Sequence, residues 1–148
     1  MFHMNNNAII AILNDLIEIS RKGRECFGVA AESIHNSEFR RLFNIFSQQL
    51  AQFVSELEAE VHRLGGNVAK AGIRTGPLHR SWMNLKTSIN RDETSIIAEC
   101  QRQEEAAVNE YQKVLKVDLP LDVQYVVKRQ YMDIKDACDR IRILRRAA

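Results

Sequence analysis

The sequence predicts an all-α fold: four long antiparallel helices packed as one bundle, with a single long crossover between the second and the third. Three observations predict it. Apolar residues recur with a period of about 3.5 to 3.6 along most of the chain, the spacing of one helix face. Short breaks with capping residues cut that pattern into long segments. One stretch, residues 65 to 91, abandons it and holds four of the six glycines, Gly65, Gly66, Gly72 and Gly76, together with Pro77.

The first helix, read over residues 7 to 35, carries Ile10, Leu13, Ile17, Ser20, Arg24, Phe27, Ala31 and Ile34 on its inner face, with Asn5, Asn6 or Asn7 as N-cap. His35-Asn36-Ser37 makes the break, where Asn suits the left-handed C-terminal position and Ser37 caps the next helix. That second helix presents Phe39, Phe43, Phe46, Leu50, Phe53, Leu57, Val61 and Leu64 and stops at Gly65-Gly66. So short a link between helices of about 40 Å leaves only an antiparallel hairpin. Inside the 65–91 crossover, Trp82, Leu85 and Ile89 share helical spacing and predict a short fifth helix over His79 to Ile89. Asn90 and Glu93 have the form of a capping box for the third long helix, with Ile97, Cys100, Glu104, Ala107, Tyr111 and Val114 inward. After the turn Lys116-Val117-Asp118, Pro120 fits the first turn of a fourth helix whose inner face reads Val123, Val127, Gln130, Ile134, Ala137 or Cys138, Ile141 and Leu144.

The chain has 148 residues, which suits one domain over residues 1–148, with residues 1–6 expected to be a flexible N-terminus. Hydrophobic residues at 45% and charged residues at 27% exclude disordered and membrane classes. No apolar run reaches the roughly 18 residues of a bilayer span, and the first residues lack the form of a signal peptide. A formal net charge of +2 does not fit a surface built as a whole to bind nucleic acid. Cys26, Cys100 and Cys138 are odd in number and widely separated, which fits reduced thiols in a cytoplasmic protein.

Two antiparallel hairpins joined by one long crossover is the connectivity of ferritin-like bundles. Specific segments extend the likeness: Leu13-Asn14-Asp15-Leu16-Ile17-Glu18, Leu64-Gly65-Gly66, and His79-Arg80 followed by Trp82, Leu85 and Lys86. Glu104 with Tyr111, and Asp139-Arg140-Ile141-Arg142, complete the set. In these the chain resembles a bacterial ferritin-like four-helix-bundle family known as a domain of unknown function. The resemblance implies the fold and leaves the activity open.

Ferritin-like di-metal proteins need Glu from two helices and Glu-x-x-His from the other two, so that the ligands converge on the bundle centre. The chain's one Glu-x-x-His, Glu32 to His35, sits at the end of the first helix, where no central site can be built. His62, with Glu58 four residues earlier, reads as a solvated residue near a helix end. The family pattern that the resemblance brings commonly has His where this chain has Cys138, and Glu where it has Lys135. It also has Asp-Gly at Lys22-Gly23 and Gly-Phe at Cys26-Phe27. No metal or other cofactor is therefore expected. The centre is read instead as a polar layer of Ser20, Arg24, Glu104 and Gln130 that fixes helix register, with Arg24 and Glu104 paired because an unpaired buried charge is costly.

Cys100 and Cys138 fall on apolar faces and read as small core residues rather than nucleophiles. Residues 65 to 91 contain Lys70, Arg74, Arg80, Lys86 and Arg91 with no Asp or Glu, the segment on which a nucleic acid or other polyanion would dock if any does. Residues 128 to 146 hold seven basic residues against three acidic ones, which complements the C-terminal end of a helix dipole. The expected function is that of a non-enzymatic structural or interaction protein whose long helix faces suit self-association into a homo-oligomer, without a membrane partner. The alternative is a metal-dependent oxidase or metal-storage protein that holds iron or another divalent metal in an atypical site.

Overall fold

The structure, a computed structural model, describes residues 4–69 and 92–147. These form four helices and, among the described residues, no strand: α1 (Asn6–Ser33), α2 (Ser37–Arg63), α3 (Glu93–Val114) and α4 (Leu121–Ala147). The fifth helix read over His79 to Ile89 and the Asn90 cap lie outside the described residues.

Local chemistry sets each boundary. The Asn5 carboxamide accepts from the Ala8 amide at 2.8 Å, and Met4 packs on the core. Between α1 and α2 the cap is Asn36, whose side chain accepts from the Glu38 and Phe39 amides. This corrects the reading of Ser37 as cap and of Asn36 as left-handed, since Asn36 has φ −61°. An Asn oxygen reaching two amides satisfies more of the helix's free donors than a Ser one residue later could. At the end of α2, Gly65 at φ 81° lets its amide reach the His62 carbonyl while the Gly66 amide reaches that of Val61, a Schellman closure. For α3, Asp92 caps through Ser95 at 2.8 Å, leaving a helix of 22 residues, shorter than the 27 or 28 of the others.

Contacts run between α1 and α2, α3 and α4, α1 and α3, and α2 and α4, so the diagonals of the bundle are α1 with α4 and α2 with α3. Bonds at the helix ends give the directions. The His35 amide at the end of α1 binds the Glu93 carboxylate at the start of α3, and Arg63 at the end of α2 pairs with Asp122 at the start of α4 at 2.7 Å. All four neighbouring pairs are thus antiparallel, while α2 and α3 run the same way. The chain between them therefore has to travel the length of the bundle, as the sequence predicts. It starts by crossing α1: Asn14 bonds the Asn67 carbonyl at 3.1 Å and the Ala69 amide at 2.9 Å, and Arg21 bonds the Ala69 carbonyl. Gly66 permits the approach, because a Cβ there would stand 2.6 Å from the Ile10 side chain.

The core is one cluster. Its aromatic part centres on Phe27, whose ring lies 5.2 Å from Phe43 and 5.6 Å from Phe46, edge-on to the latter. The predicted inner faces of α2, α3 and α4 are buried except Leu64 and Leu144, which are half-buried at helix ends. On α1 a strict seven-residue repeat overestimates the turn's regularity, because a straight helix drifts by about 20° per heptad. The inner line passes through Ser20, Gly23 and Phe27, and Ile10 and Arg24 move to the flank.

Candidate functional site

The middle of the bundle holds a cluster of buried polar side chains. Tyr111 on α3 donates its hydroxyl to the Gln130 Oε1 of α4 at 2.8 Å, with both side chains fully buried. The Gln130 amide nitrogen donates to Glu56 of α2 at 3.0 Å and approaches the Phe53 carbonyl at 3.4 Å. Glu56, half-buried, closes the line against Arg129 at 2.7 Å. A hydrogen-bonded relay therefore runs from the core to the surface between α2 and α4. Ser20 of α1 stands beside the Tyr111 hydroxyl, close enough to favour its ionised form, yet its own oxygen lacks a well-aligned partner among the described residues. Burial pushes the Tyr111 phenol well above its usual range, and the charges of Glu104 and Glu56 add to that shift. The phenol is a neutral donor at any physiological pH.

Glu104 is buried next to this relay, and burial alone raises its carboxyl to about 8. The predicted pair with Arg24 is not formed. Arg24 lies half-buried at the α1–α2 edge, where its carbonyl accepts from the Ser47 hydroxyl at 2.9 Å. The residue that takes the inward position is Gly23, whose backbone packs so tightly on α2 that an added Cβ would meet the Leu50 side chain at 2.8 Å. Glu104 meets its burial by keeping a proton rather than by finding a cation. Of the predicted layer, Ser20, Glu104 and Gln130 come together and Arg24 does not. Tyr111 and Glu56 belong to it instead. Lys22, one of the departures from the resembling pattern, is buried on α1 and pairs with Glu18 at 3.6 Å.

The three thiols are free and buried. Cys26 and Cys100 touch across α1 and α3, Sγ to Sγ 3.7 Å, and burial followed by that contact drives the Cys100 thiol far up. Cys138 lines a groove of about 340 Å³ between α3 and α4, with Arg142 at 3.9 Å. Burial still pushes Cys138 up to about 11, the guanidinium only partly offsetting it. All three are buried, and Cys100 and Cys138 are held as thiols, so a disulfide reagent such as DTNB is expected to label the folded protein slowly and the denatured protein at once. Rapid labelling of one native thiol would identify it as a reactive centre.

Among the described residues no group of three or more His, Cys, Asp or Glu lies close enough together to hold a metal ion. None of the described helices is long and apolar enough to cross a membrane. The anion-site residues Lys70, Arg74, Arg80, Lys86 and Arg91 lie outside the described residues.

The family model of Domain of unknown function (DUF2383) matches residues 8–117, from the first turn of α1 through the turn after α3. The chain belongs to this family. Among curated proteins no match to the chain is found. The DUF2383 match covers Ser20, Glu56, Glu104 and Tyr111, whereas Gln130, Cys138 and the rest of α4 lie beyond it.

Proposed function

We propose that this DUF2383 chain is a bacterial, cytoplasmic protein of ferritin-like architecture that acts as a non-enzymatic structural or interaction protein. The single observation that carries this reading is the closed hydrogen bonding of the bundle centre. Tyr111, Gln130, Glu56 and Arg129 bond one another in line, so the carboxamide and the carboxylate at that level already have protein partners. The layer is a buried hydrogen-bonded line that ends in an ion pair at the surface, suited to fixing how the helices align. Neighbouring helices that are all antiparallel, with α2 and α3 parallel, support the ferritin-like arrangement, and three buried free thiols suit a reducing compartment.

Metal analysis of protein purified without chelator tests the proposal. The expected result is substoichiometric iron, manganese and zinc after dialysis, with no ferrous-iron oxidation above the buffer rate. Stoichiometric metal that is lost in Glu104→Gln or Glu56→Gln would establish the metal-dependent oxidase or storage reading instead.

A further inference from the structure

Helix α4 is apolar on two opposite sides. Its inner side enters the core through Val123, Val127, Gln130, Ile134 and Ile141. On its outer side Leu121 is 84% exposed, Tyr125 69%, Met132 62% and Ile143 62%, four of the five large apolar residues exposed among the described residues. At about 100° per residue these four fall within an arc of roughly 40°, along about 33 Å of helix. Scattered exposed apolar residues need no explanation, but a stripe of them along one helix face marks a contact surface. The fifth such residue, Ile45 of α2, lines a groove of about 330 Å³ with Arg41, Leu42, Arg140 and Leu144, beside the Ile143 end of the stripe.

We infer that this face binds a second copy of the same chain, α4 against α4 in antiparallel orientation, about a two-fold axis through Met132. The spacing is symmetric about that residue: Leu121 lies eleven positions before it and Ile143 eleven after. An isologous contact requires such self-complementarity. The two-fold sets Met132 against Met132 of the second copy, and Leu121 against Ile143 and the α2 groove beside it. Tyr125 then faces Asp139, a carboxylate within reach of its hydroxyl.

The charges select this orientation. On the flank towards α2 the helix carries Asp122, Arg129, Asp133, Asp136 and Arg140. The antiparallel two-fold brings Asp122 near Arg140 of the second copy, and Arg129 near Asp133 and Asp136. Each joins a pair already present within one chain, such as Arg63 with Asp122 at 2.7 Å, Arg129 with Glu56 at 2.7 Å and Arg140 with Asp136 at 3.1 Å, so that pairs grow into networks. On the other flank Lys128 approaches Lys135, and the Asp139 carboxylate in the seam offsets that repulsion. A parallel packing would set Lys128, Lys135 and Asp139 each against its own copy and align the two helix dipoles, both unfavourable. The inference holds whatever occupies the bundle centre, and it concerns a helix beyond the residues of the family match.

Sedimentation velocity over a concentration series tests it, together with single-cysteine variants, since the native thiols are buried. The wild-type chain is expected to shift from monomer to dimer as concentration rises. Met132→Glu, which sets two carboxylates on the axis, is expected to abolish the dimer without changing the helical circular dichroism or the melting temperature at concentrations where the wild type is monomeric, because Met132 is 62% exposed and lies outside the core. Met132→Cys is expected to form a disulfide-linked dimer under mild oxidation. Leu121→Cys and Ile143→Cys are expected to cross-link when mixed and not alone. A wild-type chain that stays monomeric at every concentration overturns the inference, and so does a dimer that survives Met132→Glu. Ile143→Cys linking to itself as readily as Met132→Cys would overturn the antiparallel register.

Discussion

Glu104→Gln is expected to leave stability nearly unchanged at about pH 5 and to raise it by several kcal/mol at about pH 8.5. Gln has the shape of the protonated acid and does not titrate. In the wild type the folded carboxyl ionises near pH 8, against an ordinary value of 4.5. The folded state therefore holds a proton that the unfolded state releases, and stability falls as pH rises between those two values, by about 1.4 kcal/mol per unit. Below about 4.5 both states are protonated and the stabilisation is complete; above about 8 both are ionised and it is gone. The window amounts to at most roughly 5 kcal/mol, a large part of the stability of an ordinary domain. Denaturant unfolding of both proteins at the two pH values measures it. Equal stability differences at both pH values would show that the Glu104 carboxylate is solvated.

Why Glu104 resolves its burial by protonation was hidden in the sequence. Helical periodicity assigns the inward positions of α2, α3 and α4 correctly, apart from Leu64 and Leu144 at helix ends, because the inward residues keep helical spacing along each segment. On α1 the same rule admits Arg24, since a heptad count cannot sense that Gly23 brings the backbone close to Leu50. A glycine inside a helix was the available sign, because it costs about 1 kcal/mol relative to alanine unless a close approach requires it. With Arg24 displaced, the expected cation is absent and desolvation alone governs the acid. Glu56 escaped the polar layer because it flanks the Phe53–Leu57 stripe and is recruited by Gln130 from the neighbouring helix, a contact without local signature. Periodicity places Tyr111 and Gln130 inward, but their bond was not legible, because Tyr111 lies three residues before the end of α3 and Gln130 nine residues after the start of α4.

Each of Tyr111→Phe and Gln130→Met is expected to cost about 1 to 3 kcal/mol, and the double variant is expected to cost clearly less than their sum. Tyr111→Phe removes the donor and leaves the Gln130 Oε1 without its partner at 0% exposure. Gln130→Met keeps much of the volume but leaves the Tyr111 hydroxyl buried with only Ser20 nearby, and it releases Glu56 from its buried donor. In each case the cost comes from the polar atom left behind, so removing both atoms together abolishes the shared penalty. Glu56 loses least, since Arg129 still holds it at 2.7 Å near the surface. A coupling energy of at least about 1 kcal/mol from the double-mutant cycle would show that the relay is a single unit joining α3 to α4. Strict additivity would mean that water reaches the Tyr111 hydroxyl from the Glu56 side, and the layer would then be a hydrated channel rather than a dry register lock.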